Sequence, residues 1–189
     1  ATLRLLIADD PPQAQAMLDR LIAYLRGTLG GSLARTHALE TEFARLEDYL
    51  ALMTIRMGDR LHCEFSLPQP LRLHPVPPLL LQPLVENAIR HGLEPAVDGG
   101  ILSVRARAEG RDLVLTVADT GVGIQEAASE AAHPGFGTRQ VRQRLATLHG
   151  TAASLTLEAG PDGRGTLARI RLPLHPLESG PGASQTQGL

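Results

Sequence analysis

Three runs of this chain combine residue types able to hold a flat, highly charged ligand. The first is Leu81-Gln82-Pro83-Leu84-Val85-Glu86-Asn87-Ala88-Ile89-Arg90-His91-Gly92. At helical spacing Leu81, Leu84, Val85, Ala88 and Ile89 share an apolar face, and Gln82, Glu86, Asn87, Arg90 and His91 take the other positions. Spacing of four lets Glu86 pair with Arg90 and puts Asn87 on the same side as His91. An amide oxygen suits Mg²⁺, a hard cation that takes few protein ligands and leaves its remaining positions to water and phosphate. A His or Arg one turn later suits phosphate charge. Taken alone, the run reads as an amphipathic helix with a solvated polar face.

The second run, Asp119-Thr120-Gly121-Val122-Gly123-Ile124, brings a carboxylate to the end of a strand and follows it with two glycines. Glycine lets backbone approach a flat ligand and takes positive φ. A buried carboxylate there can accept a hydrogen bond from an exocyclic amino group, such as that of adenine. An Asp-Thr turn is also a common turn start. The third run, Gly135-Phe136-Gly137-Thr138, opens onto a helix bearing Arg139, Arg142 and Arg144. Helix N-termini present N–H groups and a positive dipole end to phosphate. The run could equally be a helix cap. It is neither a Walker loop, lacking Gly-Lys-Ser/Thr, nor a dinucleotide fingerprint after a strand.

The elements that must position these runs follow from periodicity. Residues 1–27 read as a helix pair or one interrupted helix, broken at Asp9-Asp10-Pro11-Pro12, with Ala14, Met17, Leu18, Leu21, Ile22 and Leu25 on one stripe. A second helix spans 39–57, with Leu39, Phe43, Leu46, Leu50 and Met53 on its buried stripe and Glu40, Glu42, Glu47 and Asp48 among its other positions. The pair predicts an antiparallel hairpin, its apolar surface covered by a coiled-coil-like homodimer. A strand at 61–67 follows, then a connector at 68–78 that holds five prolines and predicts extended chain. A helix at 79–93, strands at 101–108 and 113–118, a loop at 121–137, a helix at 138–149 and a hairpin of 153–158 with 166–172 complete the order. This is α+β: a mixed or antiparallel sheet with helices on one face.

Composition narrows the function classes. Lys plus Arg number 18 against 20 Asp plus Glu, which gives no electrostatic case for nucleic acid as the main partner. Cys63 is the single cysteine, so no intrachain disulfide can form. No apolar run approaches the roughly 20 residues of a membrane-spanning helix.

The three runs occur in the order and spacing of the N, G1 and G2 boxes of the GHKL ATPases, the superfamily of gyrase, a heat-shock chaperone, histidine kinases and MutL. Gly165-Thr166 resembles the terminal Gly-Thr of that fold. Within the superfamily, Leu81 to Gly92 closely resembles the LytS/AlgZ-type sensor histidine kinases. So does Leu46-Glu47-Asp48-Tyr49-Leu50 through Arg56-Met57-Gly58-Asp59-Arg60-Leu61. The resemblance implies a Bergerat-type ATP-binding α/β sandwich over 59–176, preceded by a helical hairpin at 1–58 from a dimerisation and phosphotransfer region, and followed by a disordered tail at 177–189. It implies that Asn87 ligates Mg²⁺, that Asp119 binds the adenine amino group helped by Gly121, Gly123 and Thr166, and that Arg90 and His91 face the phosphates. Gly135 and Gly137 would hinge a lid over residues 125–136, and Phe136 and Thr138 would be among the nucleotide-binding residues. Glu86 would act as polar support or as a base. Implied partners are ATP, a response regulator and a second copy of the chain. The location implied is the cytoplasmic portion of an inner-membrane protein, with the membrane reached through a preceding N-terminal part.

Three departures bear on activity. Gyrase-like members carry a catalytic Glu four residues before the Asn; here that residue is Pro83, which cannot activate water and so favours phosphoryl transfer over hydrolysis. Gln140 stands where the family often has Asn. The Pro-His-Phe-Leu-Phe-Asn run that carries the phosphoacceptor is absent, and His37, His62, His133 and His149 do not fit its place. The chain is therefore expected to begin just past the acceptor and to bind ATP without autophosphorylating alone. The competing readings are a nucleotide-binding or dimerisation scaffold, and an anti-sigma serine kinase, against which the hairpin argues.

Overall fold

Leu39 to Met57 form a 19-residue helix, α1, whose positions Leu39, Phe43, Leu46 and Leu50 are all buried. The computed structural model describes residues 36–123, 136–160 and 163–174, together with isolated helical positions between Ile7 and Ile22. Most of the helix pair expected at 1–27, almost all of the lid expected at 125–136 and the tail expected at 177–189 lie outside the described residues. A helix must find acceptors for its first N–H groups. In α1, the Leu39 and Glu40 N–H groups donate to the carbonyls of His74 and Arg72, each at 2.9 Å. Just before α1, β1 (His37–Ala38) pairs antiparallel with β3 (Pro75–Val76). The proline-rich connector is thus not simply extended. Gln69–Leu71 make a 3₁₀ turn, with Pro70 in its first turn where no amide is needed, and the rest folds back onto α1.

The main sheet contains β2 (Leu61–Ser66), β4 (Gly100–Glu109), β5 (Asp112–Asp119), β6 (Ser154–Ala159) and β7 (Thr166–Pro173), in the order β2-β4-β5-β7-β6. β2 and β4 run parallel and the other neighbours are antiparallel. Parallel neighbours need a long crossover, and this one contains β3 and the helix α2 (Gln82–Asn87) with its continuation. Alternation along β4 sends Leu102, Val104 and Ala106 to the core and Arg105 and Arg107 outward. Leu39, Phe43, Leu46 and Leu50 of α1, Val85 and Ile89 of the crossover, and Val141 and Leu145 of α3 (Phe136–His149) join that core. Phe43 meets Phe65 edge-on at 6.2 Å between centroids. The opposite face carries exposed ion pairs, including Arg105–Glu64 and Arg171–Asp112, each 2.9 Å. Exposed pairs of this kind add little stability. The α+β class, with a mixed sheet and helices on one face, is as the sequence predicts.

Three local differences matter. The apolar stripe of α1 is covered by the chain's own sheet and crossover rather than left for a partner, and Met53 within it is only half-buried. Glu42, read as one of the helix's polar positions, is 1% exposed. The helix expected from Leu79 begins at Gln82, because Leu79 has φ 57°, outside helical space.

Candidate functional site

Asp119 ends β5 with 2% of its surface exposed. The alternation that buries Val117 on the core side carries Asp119 to the same side. Its Oδ1 accepts the Gly121 N–H at 2.9 Å. Burial pushes the carboxyl above its ordinary pKa, and hydrogen bonds from Gly121 and from the Thr166 amide and hydroxyl pull it partly back. The result is a carboxylate taken out of water, with acceptor capacity aimed where only a donor is welcome.

Glycines allow this packing. A Cβ on Gly92 would lie 2.4 Å from Asp119 Oδ1, and one on Gly121 would lie 2.1 Å from the Gly92 carbonyl oxygen. Gly165, at φ +66°, would put a Cβ 1.7 Å from the Asp119 carbonyl oxygen. The Val122 N–H donates to the Gly92 carbonyl at 3.0 Å. Three distant segments therefore close around one carboxylate, which only backbone without side chains permits. A carboxylate in this setting can accept a hydrogen bond from an amino group. Thr120 faces elsewhere: its hydroxyl accepts the Ile101 N–H at 2.9 Å at the start of β4.

Asn87 ends α2, and Ala88–Leu93 continue as a π-helix. The wider turn is seen in the 2.8 Å bond from the Glu94 N–H to the Ile89 carbonyl, five residues back. Its inner side, Ala88, Ile89, Gly92 and Leu93, is buried and packs on β4 and β5. Asn87 is half-exposed and Arg90 and His91 are exposed. Glu86 accepts a 2.8 Å hydrogen bond from the Gln82 amide. Pro83 sits in the first turn of α2, where its missing N–H costs nothing, and touches the Gly137 region: a Cβ on Gly137 would be 3.0 Å from its ring. Thr138 is 2% exposed in the first turn of α3. The structure thus brings Asp119, Gly121, Gly123 and Thr166 to one end, and α2 alongside the start of α3. Gly135 and the side chain of Phe136 lie outside the described residues. The cradle role of Gly92 was not assigned from sequence, although an isolated glycine inside a helical pattern is a signal of close packing. Among the described residues no cluster of His, Cys, Asp or Glu could hold a metal.

This fold and site define the chain's class: it belongs to the histidine kinase-, DNA gyrase B- and HSP90-like ATPases, whose family pattern residues 78–176 match. Residues 1–61 match the histidine kinase family. The chain is 30% identical over 186 residues to the sensor protein LytS of Staphylococcus haemolyticus, covering 94% of this chain and 32% of that protein. It is 30% identical over 172 residues to the sensor histidine kinase BtsS of Escherichia coli, covering 91% of this chain and 30% of that one. It therefore spans about a third of the length of these relatives. In fold it is similar to the histidine kinase domain of a blue-light activated histidine kinase from Erythrobacter litoralis, with TM-score 0.57 and 22% identity over 91% of this chain and 84% of that one.

Proposed function

We propose that this chain is the ATP-binding catalytic core of a two-component sensor histidine kinase, passing the γ-phosphate of ATP to a protein histidine and from there to a response-regulator aspartate. The observation that carries the proposal is the buried Asp119 cradle beside the helix that bears Asn87. Asp119 accepts the adenine amino group while Gly121 and Thr166 hold its carboxylate in place. Arg90 and His91, both exposed, meet the phosphates. Asn87 offers its amide oxygen to Mg²⁺, which when bound neutralises phosphate charge. Glu86, held by Gln82, supports this end of α2. Gly135 and Gly137 flank the segment that closes over the phosphates, and Phe136 and Thr138 complete that turn. Phosphoryl transfer asks a protein mainly for positioning and charge. Pro83, at the place where a hydrolytic relative keeps a water-activating Glu, leaves water unactivated.

The division into a helical segment at 1–58 and an ATP-binding unit at 59–176 belongs to this proposal. So does a homodimer through the first helical segment, where Ile7, Leu18 and Ile22 are 60%, 45% and 38% exposed. No described helix is long and apolar enough to cross a membrane, and attachment through a preceding part is proposed from the family resemblance alone.

The test supplies the protein with γ-labelled Mg-ATP and a separate chain carrying the Pro-His-Phe-Leu-Phe-Asn helix of a relative. Acid-labile label is expected on that chain and is expected to vanish in Asn87→Ala, with stability changed by no more than about 0.5 kcal/mol as for other surface substitutions. ATP bound without transfer would reduce the chain to a scaffold. No ATP binding would remove the nucleotide site altogether.

A further inference from the structure

Glu42 is a nearly fully buried carboxylate on α1 that the nucleotide chemistry does not use. Its Oε1 accepts the Leu81 N–H at 2.9 Å. Its Oε2 accepts the Leu79 N–H at 3.1 Å and meets His37 Nε2 at 2.9 Å. Both amides belong to the turn that leads into α2. Among the described residues Leu79 is the one non-glycine residue with positive φ, at 57°. For such a residue the left-handed region costs about 1–2 kcal/mol and persists only where its surroundings hold it. Here the hold comes from two sides. Glu42 takes the amides on either side of Leu80, and Arg144 of α3 donates to the carbonyl of Pro78. Leu81 then passes the constraint on, because its carbonyl accepts the Leu84 and Val85 N–H groups at 3.0 and 3.1 Å, the first turn of α2. Asn87 lies at the other end of that short helix.

We infer that Glu42 is a positioning residue for the phosphate end of the site: it sets the Leu79–Leu81 turn, the turn sets where α2 begins, and α2 sets where Asn87 points. This rests on the nucleotide reading above and adds a route through it. Helix α1 is tied to the connector that precedes this turn by the β1–β3 ladder and by the His74 and Arg72 carbonyls. A shift of α1 along its axis therefore reaches Asn87 through Glu42, whereas Asp119 is fixed mainly by its own strand β5 and by Gly121 and Thr166, with Gly92 of the helix's continuation as its contact to the moving element. A carboxylate buried only for stability would affect both ends of the site alike.

The experiment measures affinity for Mg-ATP and for metal-free ADP in Glu42→Gln and Glu42→Asp, at a temperature where each gives a cooperative melt. Gln keeps the shape but turns an N–H₂ toward one of the two amides. Asp keeps the charge but draws it back by one methylene. Mg-ATP affinity is expected to fall about tenfold and metal-free ADP affinity to stay within about twofold, a coupling of ordinary size. Glu47→Gln, exposed on the same helix, is expected to match the wild type in both. A folded Glu42 variant that binds Mg-ATP as the wild type does, or that loses both ligands equally, overturns the inference. If neither variant folds, the wild type answers by reciprocity. Mg-ATP must then slow hydrogen exchange of the Leu79 and Leu81 amides more than metal-free ADP does, and equal rates overturn the inference. Wild-type protein that binds no Mg-ATP removes the nucleotide reading itself, an outcome distinct from unchanged variants.

Discussion

Asp119 and the glycines packed on it, Gly92, Gly121 and Gly165, are buried, whereas Asn87 is half-exposed and Arg90 and His91 face solvent. On the proposed reading the first region recognises by exclusion. A carboxylate with no water must be met by a donor, and Gly92, Gly121 and Gly165 admit backbone where side chains would block it. The second region recognises by charge, on a short helix whose π continuation is anchored at its inner side only. On that reading the base end is packed closed and the phosphate end is open to solvent, which suits a site whose phosphates change and whose base does not.

The largest expected break in this comparison comes from Gly165→Ala. It places a Cβ against the Asp119 carbonyl and asks alanine to hold φ +66°. Overpacking and left-handed strain together predict a loss of about 3 kcal/mol, read as a lower denaturant midpoint, with nucleotide binding lost alongside.

Asp119→Asn should separate recognition from stability. Losing a hydrogen bond to a charged acceptor predicts about 10–100-fold weaker ATP binding by titration calorimetry. Stability at neutral pH should hold or rise. Because burial raises the folded pKa of Asp119, the native state keeps a proton that the unfolded chain has already released in the window above the ordinary aspartate value. Its contribution to stability therefore falls as pH rises through that window, and the full cost of the buried charge is present at neutral pH. The substitution removes that cost, so its stabilising effect should fade as the medium is acidified. In the wild type, ATP affinity should weaken on acidification at a higher pH than an ordinary aspartate would give. Titration at the ordinary value would show that the base end is wetter than its burial suggests.

The smallest effect belongs to the solvent-facing end. Arg90→Gln should weaken ATP binding less than about fivefold, and the difference should shrink as salt screens the exposed charge. A loss as large as that of Asp119→Asn, insensitive to salt, would erase the distinction between the two ends.

The strands of the main sheet were legible because alternation is a two-residue signal that survives without context. β4 and β5 extend one residue or so beyond the predicted limits at each end. Asp119 and its glycines were legible as a run. Gly92 was not given its role, because its neighbour across the gap is 27 residues away and only the closed sheet brings them together. The π turn left no mark, since its apolar positions satisfy an ordinary helical pattern equally well. Glu42 was misplaced for a physical reason. A charged side chain on a helix is read as solvated, and its partners are amides of a connector, which no side-chain pattern reveals. The connector's prolines announced extended chain, and they do bound short extended pieces. Its hydrogen bonding to the first turn of α1 depended on carbonyls that every sequence has.

Gly165, finally, sets a schedule for synthesis. β7 lies between β5 and β6 in the sheet and comes last among the strands, and Gly165 at its threshold seals the Asp119 cradle. A growing chain that has made Asn87 and Asp119 but not yet residue 166 lacks the Thr166 amide and hydroxyl that bond the Asp119 carboxyl. β5 is then still open on one edge, a surface prone to wrong pairing. On the proposed reading nucleotide joins only after that strand arrives, and binding then reports a completed fold rather than guiding its assembly.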